Sequence, residues 1–288
     1  MMNPPDHETY RVLAHRSLIQ LRDWRGGAPP VVFLHSITAN SLLALRLGAL
    51  LSPRWRVIAP DLRGRGGSDA PFGEYSPQGH VKDMLAVLDT LGIETFILAG
   101  HSFGAMLSVL IAAHHPERVA KVILFDGGAS PDPTAAQALT LYYDSIPYRY
   151  PDSDAYVNRF KGSPLYQPWT DELEALIRSN LTLQPDGTYI RSIARYVLEA
   201  ERKPENLVQL AELDALHAKI ACPVLIVRAG MGMFSVDDPL LSEDILAKMV
   251  KAFPNARAVT IPDAGHTSLM TIPSTIRDQA LITFLERA

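Results

Sequence analysis

The sequence has one cysteine, no excess of basic charge and no long apolar segment, and each absence narrows what the chain can be. A single cysteine, Cys222, excludes an internal disulfide and a metal site built from several cysteines. The formal net charge of −4 gives no electrostatic reason to expect nucleic acid. No run of roughly eighteen apolar residues is present, and the first residues lack a basic region followed by an apolar one. We therefore expect a cytoplasmic protein without membrane attachment.

The remaining composition is typical of a globular protein. The 288 residues are 47% hydrophobic and 20% charged, which allows one large domain or one domain with an insertion. No internal repeat, charge run or low-complexity tract indicates a second independent domain. Cys222 lies between an alanine and a proline, where it is expected to pack at the beginning of a strand rather than act as a nucleophile.

Short apolar runs predict strands, and they alternate along the chain with segments of helical periodicity. After an opening hairpin within residues 10–24, strands are predicted at 31–34, 57–59, 96–99, 122–125, 223–227 and 258–261. Helices are predicted at 41–51, 77–91, 105–115, 242–252 and 274–286. This alternation implies right-handed crossovers and an α/β fold with a mainly parallel sheet covered on both faces. Its ligand site is expected at the carboxyl ends of the strands.

The alternation stops between residues 127 and 219. This segment is rich in proline and aromatic residues at first and is predicted to be helical later, at 171–179 and 190–202. It contains eight of the ten tyrosines, which favours an amphipathic pocket wall, although packing of the rings onto the sheet would also explain them. We expect a core formed by 1–126 and 220–288, with 127–219 as a cap, or lid, over the site.

The motif Gly100-His101-Ser102-Phe103-Gly104 lies between a predicted strand and a predicted helix. This context is typical of a nucleophile elbow, in which a strained turn holds a serine exposed. The two glycines remove side chains that would collide with the neighbouring strand and helix. Ser102 is therefore the predicted nucleophile.

A serine hydroxyl needs a general base within hydrogen-bond reach. His266 follows the last predicted strand, in a loop that would deliver its imidazole to the same end of the sheet as Ser102. The neighbouring His101 would point away along the elbow, and His114 and His115 lie too far down the next helix. His266 is the predicted base.

The third member of such a site is a carboxylate that orients the histidine. Asp126 ends the predicted strand after the nucleophile strand and precedes two glycines, so it is the favoured acid, although it could instead stabilise that turn. The loop after residues 224–227 has no acid close behind its glycine. Asp237 and Asp238 come several residues later, where helix capping is a plainer explanation, and they stay in reserve.

Acyl transfer also needs amide donors for a tetrahedral oxyanion. One is expected from Phe103, the residue after the nucleophile. The other is expected from the loop after residues 31–34, where we choose Ile37 with Ser36 as the neighbouring alternative, and where His35 is expected to hold the loop. No metal and no cofactor is required by this set of residues.

Taken in order, FLHSITAN, PDLRGRGGSD, AGHSFG, the strand ending at Asp126 and PDAGH resemble the α/β-hydrolase family over nearly the whole chain outside 127–219. The resemblance implies an eight-stranded, mainly parallel sheet with helices on both faces and a helical cap after the sixth strand. It also implies a Ser-His-acid triad. Two departures are His35-Ser36 in place of the usual His-Gly and the missing acid after the seventh strand. Some members carry the acid after the sixth strand, as Asp126 would.

Within the family, the loop 36–41 and the position of Asp126 look similar to hydrolases of acetamidomethylene-succinate and, more loosely, to lactone hydrolases. A dicarboxylate substrate would favour an arginine in the cap, because guanidinium groups pair with carboxylates. The candidates are Arg149, Arg159, Arg178, Arg191 and Arg195. Arg149, flanked by tyrosines, is the first choice, and Tyr148, Ser36 and Met233 complete the predicted substrate contacts.

The sequence therefore predicts a hydrolase that cleaves a small-molecule carboxylic ester or lactone through a serine acyl-enzyme. An amide or carbon-carbon bond hydrolase of the same fold is the enzymatic alternative, and a ligand-binding or receptor module is the non-enzymatic one. The expected partner is a small molecule, with neither nucleic acid nor membrane, and a homodimer is left open.

Overall fold

The computed structural model describes residues 7–15, 17–73, 75–130, 133–232 and 240–287. Its main sheet has eight strands in the order β1-β2-β4-β3-β5-β6-β10-β11. The strands, with those of a smaller sheet, are β1 His7–Ala14, β2 Ser17–Trp24, β3 Gly27–Leu34, β4 Trp55–Pro60, β5 Phe96–His101, β6 Val119–Phe125, β7 Arg149–Tyr150, β8 Leu181–Leu183, β9 Tyr189–Arg191, β10 Val224–Ala229 and β11 Ala256–Ile261. The pairs β1–β2 and β2–β4 are antiparallel, and the other pairs of the main sheet are parallel. The predicted fold class is confirmed.

Helices cover both faces of this sheet. They are α1 Leu45–Leu51, α2 Pro77–Thr90, α3 Phe103–His114, α4 Pro133–Asp144, α5 Ser153–Val157, α6 Asp171–Arg178, α7 Arg195–Glu201, α8 Pro204–Ala211, α9 Glu243–Ala252 and α10 Thr275–Glu286, with 3-10 helices at Ser41–Ala44, Pro164–Tyr166, Leu213–Lys219 and Ser268–Met270. The beginning of α2 shows how local sequence starts a helix. Ser76 accepts a hydrogen bond from the Gly79 N–H, and Pro77 occupies the first turn. Across the described ranges, no helix is long and apolar enough to cross a bilayer.

The central strands are buried on both faces, which explains why they read as continuous apolar runs. In β3, Val31 and Phe33 belong to the apolar cluster on one face of the sheet, and Val32 and Leu34 belong to the cluster on the other. All four are at most 2% exposed. Because both faces are filled, the carboxyl ends of the strands are the part of the sheet left for a functional site.

The segment between β6 and β10, residues 127–219, differs from the predicted helical insertion. It carries helices, but it also carries a small antiparallel sheet in the order β7-β9-β8. The helix expected over 190–202 is wrong at its beginning, since Ile190 and Arg191 lie in β9 and α7 starts at Arg195. Ile190 pairs with both Arg149 and Thr182, and such pairing with distant residues overrides local helical periodicity.

Candidate active site

The turn between β5 and α3 has the geometry of a nucleophile elbow. Ser102 has φ +55° and ψ −115°, a conformation that non-glycine residues rarely adopt. A Cβ atom added to Gly100 would lie 2.2 Å from the Gly104 carbonyl oxygen, and one added to Gly104 would lie 2.0 Å from the Leu34 carbonyl oxygen. The two glycines therefore allow α3 to begin directly against the end of β3, with Ser102 partly exposed at the turn.

Asp126 leaves the sheet beside Ser102. In the parallel register of β5 and β6, His101 pairs with Phe125. Ser102, which follows β5, and Asp126, which follows β6, therefore lie side by side. The Ser102 N–H donates to the Phe125 carbonyl at 3.0 Å. Asp126 itself has φ +43°, in the left-handed region. Two adjacent residues with strained backbones thus lie at the carboxyl end of neighbouring strands.

The Asp126 carboxylate is bound on both oxygens. Its Oδ2 accepts a hydrogen bond from His266 Nδ1 at 2.7 Å, and its Oδ1 accepts one from the Ala229 N–H at 3.0 Å. Asp126 is 1% exposed and His266 is 9% exposed. Ala229 ends β10, the strand whose loop has no acid close behind its glycine, and its amide fixes the carboxylate of Asp126, which follows β6. With Nδ1 donating to Asp126, the His266 Nε2 is free to accept a proton.

Segment 127–219 holds the loop that carries His266. The Gly265 N–H donates to the Gln167 carbonyl at 2.8 Å, and the Thr267 N–H donates to the Leu165 carbonyl at 2.9 Å. A Cβ on Gly265 would lie 2.8 Å from the Gln167 carbonyl oxygen, so this close approach requires glycine. The residues on both sides of His266 are therefore tied to the inserted segment.

His101 supports the same loop from the core side. Its Nε2 donates to the His266 carbonyl at 2.8 Å, and the two imidazole rings lie 4.5 Å apart. Because His101 is fully buried, desolvation holds its pKa well below the ordinary value. His101 is thus a neutral donor that fixes the backbone of His266, not a second base.

Asp237, Asp238 and Met233 lie outside the described residues. Among the carboxylates that the structure describes, Asp126 is the one that contacts His266. The described ranges contain no group of three or more His, Cys, Asp or Glu side chains placed to hold a metal ion. Burial raises the pKa of the Cys222 thiol to about 11, as expected for a packing residue.

The loop predicted to supply an oxyanion donor is fixed by a buried histidine. His35 Nδ1 donates to the Ser36 carbonyl at 2.8 Å, and the same carbonyl accepts the Ala39 N–H at 3.1 Å. His35 Nε2 accepts the Leu62 N–H at 2.9 Å. Burial lowers the pKa of His35 to about 4, so the ring stays neutral and can make both bonds. Since the peptide group is planar, fixing the Ser36 carbonyl also fixes the direction of the Ile37 N–H.

An ion cluster fixes the other side of Ile37. Arg65 donates from Nε and Nη2 to the Ile37 carbonyl at 3.0 and 2.9 Å. Its guanidinium also forms two hydrogen bonds of 2.5 Å to the carboxylate of Glu201 in α7, which accepts a third from His80 Nε2 at 2.8 Å. Burial would raise the pKa of Glu201, but Arg65 and His80 outweigh it and lower the pKa to about 2. Segment 127–219 is thereby connected to the Ile37 loop by a buried charge pair.

A cavity lies between the core and segment 127–219. Its lining combines aromatic, aliphatic and polar residues: Tyr156, Phe160, Tyr166, Ala39, Ile146, Leu176, Ile177, Ser36, Thr38, Asn180, Thr267 and Arg191. Ser102 and His266 are not part of this lining. Ser36 and Thr267 are the chain neighbours of Ile37 and His266, so the cavity borders the candidate catalytic residues, and Ser36 lies where a substrate contact was expected.

Arg149 and Tyr148, two of the expected substrate contacts, do not line the cavity. Arg149 is exposed and pairs with Asp186 at 3.0 Å on the surface. The cause is strand alternation: Arg149 lies opposite Ile190 in the small sheet, so Arg191, one residue further along β9, projects from the other face. Arg191, not Arg149, is therefore the arginine of segment 127–219 that lines the cavity.

Sequence reasoning missed the supporting roles of Arg65, Glu201 and His101, and it placed Arg191 on a helix. Arg65 lies within PDLRGRGGSD, but its partner Glu201 is 136 residues away, so no local signal indicated the pair. For Arg191 a signal did exist, because Asp186 and Gly187 mark a turn between residues 181–183 and 189–191 that could have been interpreted as a hairpin.

This fold and this arrangement of a serine, a histidine and an aspartate at the carboxyl ends of the strands define an α/β hydrolase. The family model described as alpha/beta hydrolase fold matches residues 29–273, and the chain belongs to that family. The predicted resemblance is confirmed.

Several relatives of this chain have names that state a hydrolase activity. The chain is 29% identical over 270 residues to a 2-(acetamidomethylene)succinate hydrolase from Mesorhizobium japonicum, covering 89% of this chain and 87% of that one. It is 28% identical to a Caulobacter segnis protein provisionally named carbamate hydrolase RutD, covering 83% and 84%. A crystal structure of E-2-(acetamidomethylene)succinate hydrolase superposes with a TM-score of 0.82 at 27% identity, covering 98% of this chain and 100% of that one. Relatives named as hydrolases thus span nearly the whole chain.

Proposed function

We propose that the protein is a serine hydrolase that cleaves a small-molecule carboxylic ester or lactone. The observation that carries the proposal is the 2.7 Å hydrogen bond between His266 Nδ1 and Asp126 Oδ2, in a loop that follows β11 at the end of the sheet where Ser102 forms its strained turn. These three residue types, in the chain order Ser102, Asp126, His266, support a Ser-His-Asp triad.

In the proposed reaction Ser102 Oγ attacks the carbonyl carbon, and His266 Nε2 takes the hydroxyl proton while Asp126 stabilises the imidazolium. The amides of Ile37 and Phe103 stabilise the oxyanion. Phe103 begins α3, where an N–H has no partner within the helix. The tetrahedral intermediate then collapses, and His266 protonates the leaving oxygen. Water, deprotonated by His266, attacks the acyl-serine and releases the acid, which restores the Ser102 hydroxyl.

Segment 127–219 would act as the cap of this site. Its hydrogen bonds to Gly265 and Thr267 and its contribution to the cavity wall support that role. A second candidate function, amide or carbamate hydrolysis, is favoured by the names of the two relatives. The same residues would serve, because His266 would protonate a leaving nitrogen instead of an oxygen.

The test combines labelling with turnover. A fluorophosphonate should label the wild-type protein at Ser102, and Ser102→Ala should lose labelling and lower kcat by about 10⁶-fold while leaving the circular dichroism spectrum unchanged. Matched 4-nitrophenyl esters and 4-nitroanilides of the same acyl group would separate ester from amide hydrolysis. A folded wild-type protein that is not labelled and turns over neither series would favour the non-enzymatic ligand-binding alternative.

A further inference from the structure

Arg191 is the charged side chain of the cavity. The described residues that line the cavity include no aspartate and no glutamate, and Arg191 is their one charged member. Around it lie aromatic rings of Tyr156, Phe160 and Tyr166, whose neighbouring centroids are 4.9 and 5.2 Å apart. A partly buried guanidinium in such a wall lacks both full solvation and a counter-charge.

Three of the five other arginines of segment 127–219 are neutralised by protein carboxylates. Arg149, Arg178 and Arg202 each form an ion pair, with distances of 3.0, 2.5 and 2.6 Å. Arg191 has no ion-pair partner among the described residues, and its recorded side-chain hydrogen bond, from Nη1 to the Ile146 carbonyl, is long at 3.5 Å. Most of its planar donor set is therefore available to an anion that enters the cavity.

The fold also orients Arg191 toward the cavity. It is the last residue of β9, paired with Leu181 on one side, and its N–H donates to the Tyr148 carbonyl at 2.9 Å on the other. Because β9 is the middle strand of its sheet, its backbone is paired with a neighbour on each side, and this fixes the direction of its side chains. The surface ion pair of Arg149, on the opposite face, shows which side of the sheet is outside.

The cavity also places this charge beside the candidate catalytic residues. The same cavity is bordered by Ser36 and Thr267, the neighbours of Ile37 and His266. A bound molecule can thus pair an anionic group with Arg191 while its carbonyl faces the catalytic residues and its apolar stem contacts the rings.

We propose that Arg191 binds a carboxylate of the substrate, so that the enzyme selects acyl compounds that carry a second, free carboxylate. This inference rests on the proposed serine hydrolase function and adds the substrate class to it. The free carboxylate accepts two parallel N–H bonds from the guanidinium, and the hydrolysed carbonyl is a different group of the same molecule.

The experiment compares two esters that differ only in this charge: mono-4-nitrophenyl adipate and 4-nitrophenyl hexanoate, each corrected for spontaneous hydrolysis. Wild-type enzyme should prefer the adipate ester. Arg191→Gln should lower kcat/KM for the adipate ester about 10- to 100-fold, the range for a hydrogen bond to a charged group, mainly through KM. The hexanoate ester should change less than about threefold, which also shows that the variant is folded. Arg149→Gln, the same substitution on the outer face of the small sheet, should affect neither ester.

A loss of the same size for both esters, or for neither, would overturn the role of Arg191. That outcome leaves the proposed hydrolase function intact when Ser102→Ala still abolishes hexanoate turnover. If the wild-type protein cleaves neither ester, adipate binding decides, measured as a shift of Tm in Ser102→Ala. A shift that disappears when Arg191→Gln is added supports the inference, whereas an equal shift in both proteins, or none in either, contradicts it.

Discussion

The edge of the sheet around Asp126 and the cavity wall around Arg191 are built differently. Both oxygens of the Asp126 carboxylate are satisfied by protein groups, and the loop of His266 is held by the core through His101 and by segment 127–219 through Gln167. The Arg191 side chain, by contrast, has one long hydrogen bond and no ion pair among the residues that the structure describes.

The difference matches the roles proposed for the two regions, catalysis at the Asp126 edge and substrate binding at Arg191. Groups that must stay within hydrogen-bond distance during a reaction gain from redundant, buried bonds, because a small displacement lowers the rate strongly. A group that receives a ligand must instead keep unused donors. Three predictions test this comparison, beyond the substitutions of Ser102 and Arg191 described above.

The largest effect is expected at the fully bonded edge. Asp126→Asn should reduce kcat by about 10⁴-fold, because the amide favours the wrong tautomer of His266 and cannot stabilise its charged form. The measurement is turnover of 4-nitrophenyl hexanoate by protein with an unchanged circular dichroism spectrum. Asp237→Asn and Asp238→Asn are the matched controls and should keep wild-type turnover. A crippled variant at 237 or 238, with Asp126→Asn still active, would move the acid to that loop.

An intermediate effect is expected at the buried charge pair that connects segment 127–219 to the Ile37 loop. Glu201→Gln leaves the Arg65 guanidinium buried without its counter-charge, so the free energy of unfolding should fall by about 3 kcal/mol. Urea unfolding measures this loss, and kcat should also fall because Arg65 holds the Ile37 carbonyl. Glu172→Gln removes a more exposed ion pair with Arg46 and should cost less than about 1 kcal/mol. Equal losses in the two variants would show that the buried Arg65–Glu201 pair stabilises the fold no more than an exposed pair does.

The smallest effect is expected from pH at His35. Its pKa in the folded protein is about 4, below the ordinary value of 6.5, so the unfolded chain binds more protons between these values. Stability therefore falls as the pH drops from 6.5 toward 4, by about 2 kcal/mol from this group between pH 6.5 and 4.5. Urea unfolding at pH 6.5, 5.5 and 4.5 should show a shallower pH dependence for His35→Gln than for wild type. Parallel curves would mean that His35 is not held neutral by burial.

How much the sequence predicted depends on the range of the interaction involved. Strands and helices of the core were predicted within a few residues, because each carries its own period and its own caps, as Ser76 and Pro77 do for α2. Ser102 was predicted because the elbow is a contiguous motif, and His266 and Asp126 because parallel strands end at one edge. The cytoplasmic location, the possible homodimer and the bounds of the cap stay predictions.

Segment 127–219 was predicted least well. Its helix over 190–202 was misplaced at its beginning, because β9 is formed by partners about 10 and 40 residues away and not by local preference. Once β7 and β9 are paired, alternation alone sends Arg149 outward and Arg191 inward. The same holds for Arg65 and Glu201, which are adjacent only in the folded chain.

The sequence by itself determined the α/β architecture, the strained serine turn and the candidates for its base and acid. These depend on contiguous patterns and on the rule that parallel strands share one carboxyl edge. Tertiary structure decided that Asp126 contacts His266, that His35 and Arg65 fix the Ile37 loop from two sides, and that Arg191 faces the cavity. Each of these depends on which distant segments pair, and hydrogen bonds, burial and charge act between such segments only after the chain has folded.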